Sequence, residues 1–114
     1  VGREDYMKRK IVRVIIDRPL GSVHPKYPEM VYPVNYGYVE GITGGDSEEQ
    51  DVYVLEIKEP LTVFEGELIA IIHRADDNED KWVAAPAGSY YTADEIRASV
   101  HFTEQYFKSS IELL

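Results

Sequence analysis

Three short segments concentrate the side chains that could do chemistry. The first is acidic: Asp46, Ser47, Glu48, Glu49, Gln50 and Asp51 follow the double glycine Gly44, Gly45. A β-branched and aromatic run begins at Asp51, so the side chains at 46, 48 and 51 can converge where a turn feeds a strand. Magnesium takes oxygen ligands in near-octahedral geometry, with one or two carboxylates bound directly and the remaining positions left to water and substrate phosphate. A second acidic turn, Asp76, Asp77, Asn78, Glu79, Asp80, runs into Lys81. An ammonium beside so many acids either neutralises them or points at a phosphate. The third segment is Tyr32, Pro33, Val34, Asn35, Tyr36, Gly37, Tyr38, whose tight Asn-Tyr-Gly element can turn a phenol toward an anion. Each segment also has an ordinary structural reading. Charge runs usually face water, Asp and Asn are common turn residues, and alternating tyrosines commonly pack a core.

The elements that must position these groups read mostly as strands. The run Ile11, Val12, Arg13, Val14, Ile15, Ile16 predicts a strand stopped by Asp17, Arg18, Pro19 and Gly21. Four prolines between Pro19 and Pro33 then favour an extended, ordered connection. Residues 51–57 alternate, with Asp51, Tyr53, Leu55 and Ile57 on one face and Val52, Val54 and Glu56 on the other. Residues 68–72 and 82–85 are apolar runs that predict buried strands. Thr92, Ala93, Asp94, Glu95 matches a capping box and predicts a helix starting near Thr92. Ile96, Val100, Thr103, Phe107, Ile111 and Leu114 extend it as an apolar stripe at spacings of three and four. Residues 1–9 are polar and aperiodic, which predicts a loosely held arm. Several short strands followed by a terminal helix imply a closed or nearly closed β-barrel with the helix on its flank.

Composition narrows the function. A chain of 114 residues, 44% of them hydrophobic, is the size of one domain with a real core. Twelve Lys and Arg against 21 Asp and Glu give a net charge of -9, which repels nucleic-acid backbones, so phosphate bound here should arrive with a metal. There is no cysteine and no apolar run of membrane-spanning length, so the reading is a soluble cytoplasmic protein with no membrane partner.

Taken in order, these segments resemble the soluble, magnesium-dependent inorganic pyrophosphatases. That family's signature reads Tyr-Pro-x-Asn-Tyr-Gly-Tyr and then Asp-x-Asp-Pro-x-Asp, similar to residues 32–38 and 46–51. The likeness continues through Lys81-Trp82-Val83-Ala84-Ala85-Pro86 and His101-Phe102-Thr103-Glu104-Gln105-Tyr106. It implies a mainly β fold with one helix, an oligonucleotide-binding-type five-stranded barrel carrying a metal and diphosphate site at its mouth. It implies Mg2+ held by Asp46, Glu48, Asp51, Asp76 and Glu79, with Asp51 and Tyr36 catalytic. Lys81, Tyr106, Tyr36, Arg13 and Lys108 would bind substrate. It also implies a homo-oligomer.

The departures are specific. Glu48 replaces the middle Asp of the signature and Glu49 its Pro, and the second acidic turn is two residues shorter than the family's. The family's first-strand Lys aligns with Lys10 or Arg13, and the Glu two residues on is lost in either register. Arg18, His24 and Lys26 all compete for a second phosphate-binding position, and Phe107 displaces the last lysine to Lys108. Two readings follow: a magnesium-dependent diphosphate hydrolase, or a pyrophosphatase-like binding or regulatory module with weak or no turnover.

Overall fold

A computed structural model describes residues 9–43, 49–75 and 79–114. Among the described residues, six strands and one helix appear in the order β1 (Ile11–Arg18), β2 (Asn35–Thr43), β3 (Glu49–Val54), β4 (Val63–Arg74), β5 (Asp80–Ala85), α1 (Ala93–Glu104) and β6 (Ser109–Leu113). The sheet runs β1-β2-β3-β5-β4, and a further β1–β4 pairing closes it into a five-stranded barrel of mainly β class, with β6 added to the edge of β4. All pairings are antiparallel except β3 with β5.

Alternation along the strands builds two cores. Val12, Val14, Ile16, Val52, Val54, Phe64, Leu68 and Ala84 fill the barrel. The opposite face of the sheet supplies Tyr36, Tyr53, Ile72, Val83 and Ala85, which pack with Ile96 and Val100 of α1. The helix therefore covers the outside of the barrel wall. Its start is as the sequence predicts: Thr92 Oγ1 accepts the Glu95 amide (3.1 Å), and the Thr92 amide donates to the Glu95 carboxylate (2.8 Å).

Three expectations need correction. The apolar stripe does not remain helical to Leu114. The helix ends at Glu104, the amides of Tyr106 and Phe107 turn back onto Thr103 and Glu104, and Ile111 joins β6 because the free edge of β4 offers backbone partners. The alternation of 51–57 holds through Leu55 and then breaks, because Glu56 adopts φ 78° and swings Ile57 toward the barrel interior. Arg9 does not belong to a loose arm, since its guanidinium donates to the carbonyls of Ser89 and Leu114 and pairs with Glu67. Residues 1–8 lie outside the described residues.

The Asn35–Tyr38 part of the tyrosine segment opens β2, a strand the sequence reading did not assign. A Cβ on Gly37 would lie 1.9 Å from the carbonyl oxygen of Ile15, so only glycine permits β1 and β2 to approach there. Asn35 is fully buried. Its Oδ1 accepts the amides of Leu20 and Leu61, and its Nδ2 donates to the Glu59 carbonyl, each at 3.0 Å, clamping the loops on both sides of the strand.

Candidate active site

Strand register brings the chemical groups together on the outer, helix-covered face of the wall rather than in the barrel interior. Tyr38 opposes Asp51, Tyr36 opposes Tyr53, and the parallel pairing of Val52 with Trp82 sets Lys81 beside Asp51. Lys81 is buried, and its Nζ lies 2.6 Å from Asp51 Oδ2, 3.0 Å from the Tyr36 hydroxyl and 3.0 Å from Glu79 Oε1. Asp51 keeps an open side: its side chain is 27% exposed, against 6% for Lys81.

A second cation enters from β1. Arg18, not Arg13, pairs with Tyr36, and it donates to the Tyr32 hydroxyl while lying 5.7 Å from the centre of each tyrosine ring. Burial would lower its pKa, but the bond to Tyr32 and the nearby negative partners outweigh this and raise it. Arg13 stays exposed on the site's face of β1, two residues from Ile15, whose partner is Tyr38. Asp17 stands near Asp51, and its pKa is raised by burial first and by Asp51 as well, against the opposing effect of Arg18. The Tyr36 phenol is pushed well above its usual range by burial and then by Asp51, so at neutral pH it keeps its proton and can donate.

Behind this group lies a network the sequence reading missed. Arg74, at the end of β4, donates to Glu104 through Nε (3.1 Å) and Nη2 (2.6 Å) and to Glu79 through Nη1 (3.3 Å). The Tyr53 hydroxyl donates to Glu104 at 2.7 Å. The Arg74 guanidinium carbon lies 3.7 Å from the centre of the Phe107 ring. Burial opposes the charge on Arg74, yet the Glu104 hydrogen bonds outweigh it and raise the pKa. Burial and then Glu104 raise that of Tyr53. One signal was readable: Glu104 falls four residues after Val100 and eight after Ile96, an acid on the apolar stripe.

Of the predicted site residues, Asp51, Tyr36, Lys81 and Glu79 meet directly. Tyr106 is exposed and lines a neighbouring cavity. Lys108 is exposed, and its carbonyl accepts the Ala75 amide at the lip of the second acidic turn. Asp46, Glu48 and Asp76 lie outside the described residues.

The inorganic pyrophosphatase family model matches residues 7–112. The chain belongs to that family. No curated protein matches the chain by sequence. Among solved structures, the inorganic pyrophosphatase of Ehrlichia chaffeensis is similar with a TM-score of 0.70 at 19% identity, covering 91% of this chain and 86% of that one. That of Neisseria gonorrhoeae gives 0.63 at 24% identity, covering 84% and 73%. That of Coxiella burnetii gives 0.62 at 18%, covering 91% and 83%. At these identities the structural likeness speaks for the fold of this pyrophosphatase-family chain.

The donor chemistry fits a hard cation. Two carboxylates and a phenol oxygen already surround the positive charge of Lys81, and Asp51 retains an open flank. Among the described residues no three acidic or imidazole side chains converge into a metal cluster.

Proposed function

We propose that this chain hydrolyses inorganic diphosphate to two phosphates with magnesium as its cofactor. The observation that carries this reading is the half-open carboxylate of Asp51 set against a buried ammonium and a protonated phenol. Asp51 and Glu79, with Asp46, Glu48 and Asp76 of the two acidic turns, are the residues that would hold magnesium, which supplies charge neutralisation on the phosphates and acidifies water at the site.

The remaining steps belong to the chain's own groups. Lys81 and Arg18 offer cationic donors to phosphate oxygens, and Tyr36 offers a neutral one. Arg13, Tyr106 and Lys108 are further substrate contacts in this reading. The Tyr32 and Tyr53 walls keep the dielectric low, where fixed charges act most strongly on charge that develops during the reaction. Asp51 orients the attacking water; the water oxygen joins one phosphorus, the bridging oxygen leaves with the other phosphate, and the water's two protons end one on each product. Self-association is part of the proposal, because β6 presents an outer edge with Leu113 and Leu114 exposed.

The direct test is phosphate release from purified protein, with magnesium and with a chelator. Release that requires magnesium is expected. Binding of magnesium and diphosphate without any turnover would replace this reading with a pyrophosphatase-like binding module.

A further inference from the structure

One oxygen of Glu79, Oε1, meets two cations: Lys81 Nζ at 3.0 Å and Arg74 Nη1 at 3.3 Å. They reach it from different settings. Lys81 lies against both Glu79 and Asp51, the two carboxylates that would share a metal. Arg74 lies behind them on the α1 side, with its side chain 5% exposed.

The rest of the Arg74 fork is already committed. Its Nε and Nη2 donate to the two oxygens of Glu104 at 3.1 and 2.6 Å, a bidentate pairing that sets the guanidinium plane. Glu104 is held in turn by the Tyr53 hydroxyl at 2.7 Å, and the Phe107 ring covers the guanidinium. With the plane fixed, Nη1 points across the turn between β4 and β5. His73 pairs with Asp80, so Arg74 and Glu79 are the next residues on the two arms of that turn. A glutamate there has several rotamers, and a hydrogen bond from a rigid donor selects one. Lys81 cannot do this alone, because an ammonium on a flexible stem is a point charge without a preferred direction.

We propose, on the magnesium site of the reading above, that Arg74 is a positioning residue: clamped by Glu104, it holds the Glu79 carboxylate beside Lys81 and Asp51 as a preset metal ligand. Arg74 itself is sealed and acts only through Glu79.

Magnesium alone is the probe, titrated calorimetrically into the full chain without diphosphate. Arg74→Lys keeps the charge and loses the fork, so magnesium should bind about tenfold more weakly, the scale of a lost outer partner of a metal ligand. In a Glu79→Gln background the same change should add nothing, as when one residue acts through the other. Arg74→Met combined with Glu104→Gln removes both buried charges together and strands neither, so it should fold and show the same dependence on Glu79. In turnover, the loss should fall more on the magnesium concentration for half-maximal rate than on the maximal rate. Affinity unchanged in these variants, or weakened equally in both backgrounds, would overturn the role and leave Arg74 as an anchor of α1. Magnesium binding that follows this cycle in a chain without turnover would uphold the role and overturn the hydrolase reading alone. Wild-type protein that binds no magnesium would overturn both.

Discussion

Two ion pairs stand side by side on the outer face of the barrel wall, and they differ in what surrounds them. Arg74 and Glu104 are sealed, with side chains 5% and 3% exposed, and their donors and acceptors are shared with Tyr53 and Glu79. Lys81 and Asp51 are equally close at 2.6 Å, yet Asp51 is 27% exposed. Glu79 touches both pairs, Arg74 at 3.3 Å and Lys81 at 3.0 Å. A buried pair with all its partners in place costs much to break, whereas a pair with one open flank can exchange partners with an arriving ligand. The first holds α1 against the sheet. The second is available for chemistry.

The largest effect should come from the sealed pair. Glu104→Ala strands a buried guanidinium and the Tyr53 hydroxyl, and urea unfolding should show a loss of about 3 to 5 kcal/mol. A loss under about 1 kcal/mol would mean that Glu79 and Phe107 suffice for Arg74, and the contrast between the pairs would collapse.

On the open side, Asp51→Asn keeps shape and removes charge. Diphosphate hydrolysis should fall at least about a hundredfold, as when a key electrostatic group is deleted. Magnesium should also raise the melting temperature less than in the wild type. Turnover that ignores this substitution would remove Asp51 from the site.

Lys81→Met sharpens the comparison further. Diphosphate should bind about tenfold more weakly, the scale of a lost buried charged donor. Magnesium without diphosphate should bind more tightly, because Asp51 and Glu79 lose the ammonium that competes for them. The melting temperature should move little, since Asp51 can turn to solvent and Glu79 keeps Arg74. A sharp fall in stability with diphosphate binding intact would make Lys81 a structural partner like Arg74.

The smallest effect lies at the edge strand. His73 joins β5 to β6 through Asp80 (3.1 Å) and Glu112 (2.8 Å), and its pKa is raised above the usual 6.5, chiefly by the Glu112 hydrogen bond. A group whose folded pKa is raised contributes fully below its unfolded value and loses that contribution as pH climbs through the folded value. The melting-temperature gap between wild type and His73→Gln should therefore be widest below about pH 6.5 and close as pH rises. Solvent screening of an imidazole that is 42% exposed keeps the term under about 1 kcal/mol. A gap that widens with pH would reverse the assignment.

The sequence by itself determined the barrel class, the capped helix start, and the segments that carry Tyr36, Asp51, Glu79 and Lys81, because alternation, capping chemistry and motif order are local properties of the chain. The sequence could not show that β2 is a strand, since Gly37, Gly41 and the dense tyrosine pattern mask its period. Nor could it choose among Arg18, His24 and Lys26. Strand register sets Arg18 against Tyr36, while His24 stacks on the Tyr32 ring, and the choice of Arg18 as a phosphate donor is a proposal that rests on that placement. The helix stripe ran past Glu104 in sequence, but the open edge of β4 captured the last residues as β6, since unpaired backbone groups at an edge favour a strand. The joining of Arg74 to Glu104 across 30 residues, and of Lys81 to Asp51 across 30, depended on side chains meeting only after the sheet closed. Long-range pairing of charges is set by three-dimensional proximity, on which composition and spacing are silent.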